Sequence, residues 1–321
     1  MALAAANAHT AVLHPRVVGG QPVDGTKYNF VANIVSVDPV YTGKNCSGAL
    51  ITDRLVITTA NCLMSGGFTW FNPTLMSVSF GPANTNIYKV YQAYISNSFE
   101  QNSFTHNVGL ITLASPVPAS VATPVKIYSG GIDTSLQVFA AGYGLTGRSS
   151  NSYPNSAHIV PLSIMDHKNC TMYEGFDPTT QLCVAGARGR NLCMGDEGAP
   201  LLVANNKHSV ALLGVASYIT EPSGSLVVCG EDGGVVYFEV SRPWAQWISK
   251  VAHVTYNDLI ISLNITTDKD HDLYSQVDAN SSESVIEGPL PMSSIAKSSS
   301  TTPVPIALNF VFAAFLCAIV F

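Results

Sequence analysis

The side chains able to do chemistry in this sequence fall into a few groups. Seven cysteines (Cys46, Cys62, Cys170, Cys183, Cys193, Cys229 and Cys317) include no Cys-x-x-Cys pair, which leaves zinc ribbons and thioredoxin-type redox chemistry without support. Six lie in the body of the chain, and Cys317 lies in an apolar terminal run. An even body set in a charge-poor chain reads as three disulfides made in an oxidising compartment, although spacing alone does not choose the pairing. Four Asn-x-Ser/Thr sequons, at Asn45, Asn169, Asn264 and Asn280, are acceptors for N-glycosylation and agree with that compartment. Asp196 and Glu197 stand together in a glycine-bearing loop. Glu197 has no histidine partner in a metal-ligand motif, and no second acid at a defined separation accompanies it for carboxylate-based hydrolysis. No metal and no cofactor are expected.

These residues need a scaffold, and composition bounds it. Of 321 residues, 47% are hydrophobic and only 11% charged, with a formal net charge of −6. An acidic balance argues against nucleic acid or an anionic membrane surface as partner, since both need a basic face. The length suits two domains, or one large all-β domain with an appendage. Short runs rich in Val, Ile, Tyr and Leu, punctuated by Gly, Pro, Asn and Ser, predict strands at 31–37, 49–51, 55–59, 76–80, 88–95, 108–113, 136–141, 158–164, 200–203, 210–218 and 235–240. Strands at this spacing mean a sandwich or barrels. One helix is predicted over 243–251, with Pro243 in its first turn and Trp244, Trp247, Ile248 and Val251 on one face.

The ends read differently. Residues 1–16 are expected to be a signal remnant or propeptide, although the start lacks a basic n-region. Residues 253–303 are Ser/Thr/Asp-rich and predict a stalk. Residues 304–321 form an apolar tail with no basic residue, preceded by the small, polar stretch 293–303. That order is the grammar of a lipid (GPI) attachment signal, with a short transmembrane anchor as the alternative. The expected location is therefore the secretory pathway and the cell surface, with the membrane reached through the C-terminal anchor.

Four local motifs carry a resemblance. They are Arg16-Val-Val-Gly-Gly20, Cys46-Ser-Gly-Ala-Leu-Ile-Thr52 with Leu55-Val-Ile-Thr-Thr-Ala-Asn-Cys62, Ala141-Gly-Tyr-Gly-Leu-Thr146, and Cys193-Met-Gly-Asp-Glu-Gly-Ala-Pro200. In order and spacing the set resembles the chymotrypsin/trypsin-like serine protease family, over residues 17–252. The resemblance implies two six-stranded antiparallel β-barrels with a C-terminal helix. It also implies the pairs Cys46–Cys62, Cys170–Cys183 and Cys193–Cys229. Arg16 and Val17 resemble the activation cleavage site, with Asp196 where the freed Val17 amine would insert. Gly195 and Glu197 supply the backbone donors of an oxyanion hole. Asn191 falls at the base of the specificity pocket, Ser217 and Tyr218 along its edge, and Ile219 and Val235 where the family often has glycine.

The catalytic positions depart from the family. Its general-base histidine falls on Asn61, its buried aspartate on Asn107, and its nucleophilic serine on Glu197. An amide at 61 cannot take up a proton near neutral pH. Loss of the buried carboxylate alone costs a serine protease about 10⁴ in rate, and an acid at 197 puts negative charge where the transition state develops its own. His106, beside Asn107, is expected to face away from the site; His158, His167 and His208 lie elsewhere. The expectation is a non-catalytic homologue that binds an extracellular protein or peptide, in an inhibitor or adaptor role. The alternative is an active serine endopeptidase, or another hydrolase using a rearranged site.

Overall fold

A β-branched strand of five or six residues buries too little by itself, so such strands gain stability only by pairing and closing on one another. The computed structural model describes residues 20–23, 25–37, 43–65, 70–147, 150, 152–170, 175–186, 190–205, 209–221, 226–227, 229 and 234–265. A short strand β1 (Gln21–Pro22) opens the described chain. Six strands follow: β2 (Val31–Ser36), β3 (Lys44–Leu50), β4 (Leu55–Thr58), β5 (Met76–Phe80), β6 (Asn86–Ile95) and β7 (Gly109–Leu113). They close into an antiparallel barrel in the order β2-β3-β4-β7-β6-β5. Ala32, Ile34, Val78, Phe80 and Leu110 are fully buried in it.

The second half supplies β8 (Ile127–Tyr128), β9 (Gln137–Gly142), β10 (His158–Ile164), β11 (Gln181–Gly186), β12 (Pro200–Ala204), β13 (Val210–Thr220), β14 (Leu226–Val227), β15 (Val235–Val240) and β16 (Ile260–Ile261). Six of these form the other barrel, β9-β10-β11-β15-β13-β12, which closes because β12 pairs with both β9 and β13. Strand β1 pairs with β10, Gln21 opposite Ile159, so the N-terminal segment is tied to the second barrel. The expected double barrel is therefore present.

Three short helices complete the fold: α1 (His167–Cys170), α2 (Ala245–Ala252) and α3 (Tyr256–Leu259). The predicted helix around Trp247 is a 3-10 turn, Arg242–Trp244, running into α2. Its Ala245 and Ile248 are buried, and Trp244, Trp247 and Val251 pack against the core cluster built around the first barrel. Residues 253–265, expected to open a stalk, include folded elements. Thr255 caps α3 by accepting from the Asp258 N–H, β16 pairs with β8, and Leu259 and Leu263 are buried. A run with four apolar side chains between 259 and 263 gains more from cover than from solvent. The rest of the predicted stalk, the leader 1–16 and the tail 304–321 lie outside the described residues. No helix among the described residues is long and apolar enough to cross a membrane.

Candidate functional site

Asn61 sits in the 3-10 turn Ala60–Leu63 that follows β4, and the Cys46–Cys62 disulfide ties this turn to β3. Asn107 lies two residues before β7 and is fully buried. Its Oδ1 accepts from the Asn61 backbone N–H at 3.0 Å. Its Nδ2 donates to Ser217 Oγ on β13 at 2.8 Å and to Asn61 Oδ1 at 3.3 Å. The two predicted amides and Ser217 thus meet where one barrel faces the other. Amide oxygens and nitrogens hold a fixed donor–acceptor pattern but do not exchange protons near neutral pH.

Beneath this cluster lies a residue that the motifs did not mark. Glu239 on β15 is fully buried, and its Oε1 accepts both from the Asn107 backbone N–H at 3.1 Å and from Gln181 Nε2 at 2.8 Å. Burial pushes its carboxyl up to about 7, against the pull of those hydrogen bonds. The signal was an acid inside the apolar run 235–240. Ordinary strand alternation, however, would have placed it in solvent.

The other half of the site is the loop from Cys193 to Gly198. Gly195 and Gly198 hold φ of 93° and 80°, values that glycine adopts without steric cost. The loop turns Glu197 back on itself, so that the Gly195 N–H donates to Glu197 Oε2 at 2.7 Å. A backbone donor predicted for an oxyanion is thus taken by the chain's own carboxylate. The loop is anchored to β3: the Ser47 N–H donates to the Glu197 carbonyl at 2.8 Å, and the Ser47 hydroxyl donates to the Gly195 carbonyl at 2.9 Å. Lys44 Nζ donates to the Asn61 carbonyl at 2.7 Å. Burial pushes the Lys44 pKa down, an effect that the nearby Glu197 charge opposes. No motif pointed to Lys44.

Asp196 is buried behind the loop. Its two oxygens accept from the N–H groups of Gly144 (2.8 Å) and Cys193 (3.0 Å). Burial pushes it up to about 7; the backbone hydrogen bonds oppose this and the Glu197 charge adds to it. Gly144 leaves the space that its carboxylate fills. Arg16 and Val17 lie outside the described residues.

Beside Glu197 opens a cavity of about 150 Å³. Ser217, Tyr218 and Ile219 line it, together with Leu192, Val236 and Glu197 itself. Asn191 and Val235 are not among its lining residues. The Asn191 amide is satisfied by backbone, donating to the Gly234 carbonyl at 2.8 Å and accepting from the Leu192 N–H at 2.8 Å. Val235 packs instead with Tyr237 and the Cys170–Cys183 disulfide. His106 does face away from Asn107, but in a left-handed turn (φ 56°) rather than a strand. Its ring meets Trp244 edge-on, and Nε2 lies 3.8 Å from Asp177.

All three disulfides, Cys46–Cys62, Cys170–Cys183 and Cys193–Cys229, are formed. Of the sequons, Asn45 and Asn169 are half-buried, Asn264 is exposed, and Asn280 lies outside the described residues. Among the described residues no group of three or more His, Cys, Asp or Glu side chains is arranged to hold a metal ion.

Comparison with known proteins agrees with this geometry. The Trypsin family model matches residues 17–248. Glucanase inhibitor protein 1 of Phytophthora sojae is 30% identical over 217 residues, covering 64% of this chain and 77% of that protein. Beta-fibrinogenase brevinase of Gloydius blomhoffii is 26% identical over 190 residues, 58% of this chain and 79% of its own. Transmembrane protease serine 11G of Mus musculus is 25% identical over 217 residues, 63% of this chain. The chain spans about half the length of that protein and of its Rattus norvegicus counterpart, 49% and 56%. A match that runs through both barrels and most of the chain makes this protein a member of the trypsin family.

Proposed function

We propose that this protein is a non-catalytic member of the family that binds an extracellular protein or peptide through the remodelled cleft. The observation that carries the reading is the Glu197 carboxylate on the Gly195 N–H. The chain there supplies no nucleophilic hydroxyl, and the Gly195 donor is occupied by the carboxylate. The hydrogen-bonded amides at 61 and 107 support it, because neither can act as general base or stabilise an imidazolium. Similarity to a protein named as a glucanase inhibitor supports a binding role. The three disulfides and the sequons support passage through the secretory route, and the apolar tail after a small-residue stretch supports a lipid anchor at the cell surface. The apolar cavity beside Glu197 supports an uncharged side chain as the part of the partner that enters.

Purified protein should neither react with a fluorophosphonate probe nor cleave casein. It should retain a partner when passed over proteins of its own extracellular medium. Labelling at a single serine with casein turnover would replace this reading by a rearranged hydrolase.

A further inference from the structure

Of the sequons within the described residues, Asn45 is the one joined to the loop that carries Glu197. It stands on β3 opposite Val35 of β2 and is half-buried. Its side chain is hydrogen-bonded to Tyr153. Tyr153 lies against Gly195 so closely that a side-chain carbon on that glycine would sit 2.6 Å from the ring. Burial raises the Tyr153 hydroxyl pKa, and the charges of Glu197 and Asp196 raise it further. Asn45, Tyr153 and Gly195 therefore form one continuous rim, and neither Asn45 nor Tyr153 lines the cavity on the other flank of Glu197.

The acceptor triplet also dictates when it can be modified. Ser47, its third residue, is fully buried. Its hydroxyl donates to the Gly195 carbonyl and accepts from the Tyr143 N–H at 2.9 Å. Cys46, the second residue, is closed in a disulfide. Once folded, the triplet is not open to an enzyme, so a glycan must be added to the emerging chain. Attachment leaves one hydrogen on Asn45 Nδ2, so the bond to Tyr153 survives it.

We infer that Asn45 carries an N-linked glycan whose branches spread over Tyr153 and Gly195. Carbohydrate then covers one rim of the Glu197 loop, and a partner reaches the cleft from the side of the apolar cavity. This inference rests on the secretory part of the proposed function, and its test separates the two.

The full chain is secreted from a glycosylating host, and its glycopeptides are mapped after enzymatic release in heavy-oxygen water. Asn45 and Asn264 are both expected to be converted to labelled Asp. Trimming the intact glycoprotein to a single root sugar should then raise hydroxyl-radical labelling of Tyr153 severalfold. Tyr256, half-exposed at the start of α3, should not change. Asn45→Gln, if secreted, should show the same gain; if it does not fold, the trimmed wild-type protein decides. An occupied Asn264 with a bare Asn45 overturns the inference and leaves the secretory reading standing. Both sites bare overturns both. An occupied Asn45 with unchanged Tyr153 labelling overturns the shielding.

Discussion

The two halves of the cleft have diverged in different ways. On the side of the first barrel, Asn107 still gathers the Asn61 N–H and Ser217 around one buried side chain. Charge is missing there, but the hydrogen-bond frame persists. In the loop of the second barrel, the Glu197 side chain closes on Gly195. Removing a charge and occupying a hydrogen-bond donor are different physical events. An amide in place of an acid leaves a site that substitution can repair, whereas a carboxylate on the oxyanion donor must first be removed.

The largest effect tests that difference directly. Asn61→His with Asn107→Asp should remain at background hydrolysis, because triad groups act as a unit and the nucleophile is still absent. Adding Glu197→Ser should raise the rate of ester cleavage by roughly 10⁴ or more over that double variant. Equal rates in the two would mean that the frame around Asn107 no longer positions anything.

Next comes pH. Asp196 behind the loop and Glu239 under the amides are both raised to about 7. The folded state therefore binds protons that the unfolded chain releases near pH 4. Stability is greatest below that value and is lost as pH rises from about 4 through 7, opposite to the usual carboxylate case. Thermal midpoints should fall between pH 5 and pH 8. Asp196→Asn and Glu239→Gln should each flatten the profile, and whichever flattens it more identifies the half that dominates.

Smaller effects compare the halves as structure. Asn107→Ala leaves the Asn61 N–H and Ser217 without a buried partner and should cost about 2–3 kcal/mol in denaturant unfolding. Glu197→Ala frees a donor that water can reach and should cost about 1 kcal/mol or less. A reversed order would make the loop, and not the amide cluster, the structural element.

Much of this was legible in the sequence because it is local. Cysteine and glycine positions, alternating strands and the identity of residues 61, 107 and 197 are all fixed by short motifs. Those motifs sufficed for the double barrel. The surroundings of Val235 and Asn191 were not legible in the same way. Sequence position puts a residue near a pocket, but backbone partners decide where its side chain turns, and the Gly234 carbonyl took Asn191.

Residue types determined by themselves that amides stand at 61 and 107 and an acid at 197, and amides do not exchange protons near neutral pH. The tertiary structure alone decided what fills the vacated positions. It brought Glu239 under Asn107 across 132 residues, set half-buried Lys44 near Glu197, paired Ile260–Ile261 with β8 and buried Leu259 and Leu263, and folded the Glu197 carboxylate onto Gly195. Each depends on a buried polar group finding whichever partner the closed barrels leave within reach, and sequence separation carries no information about that distance.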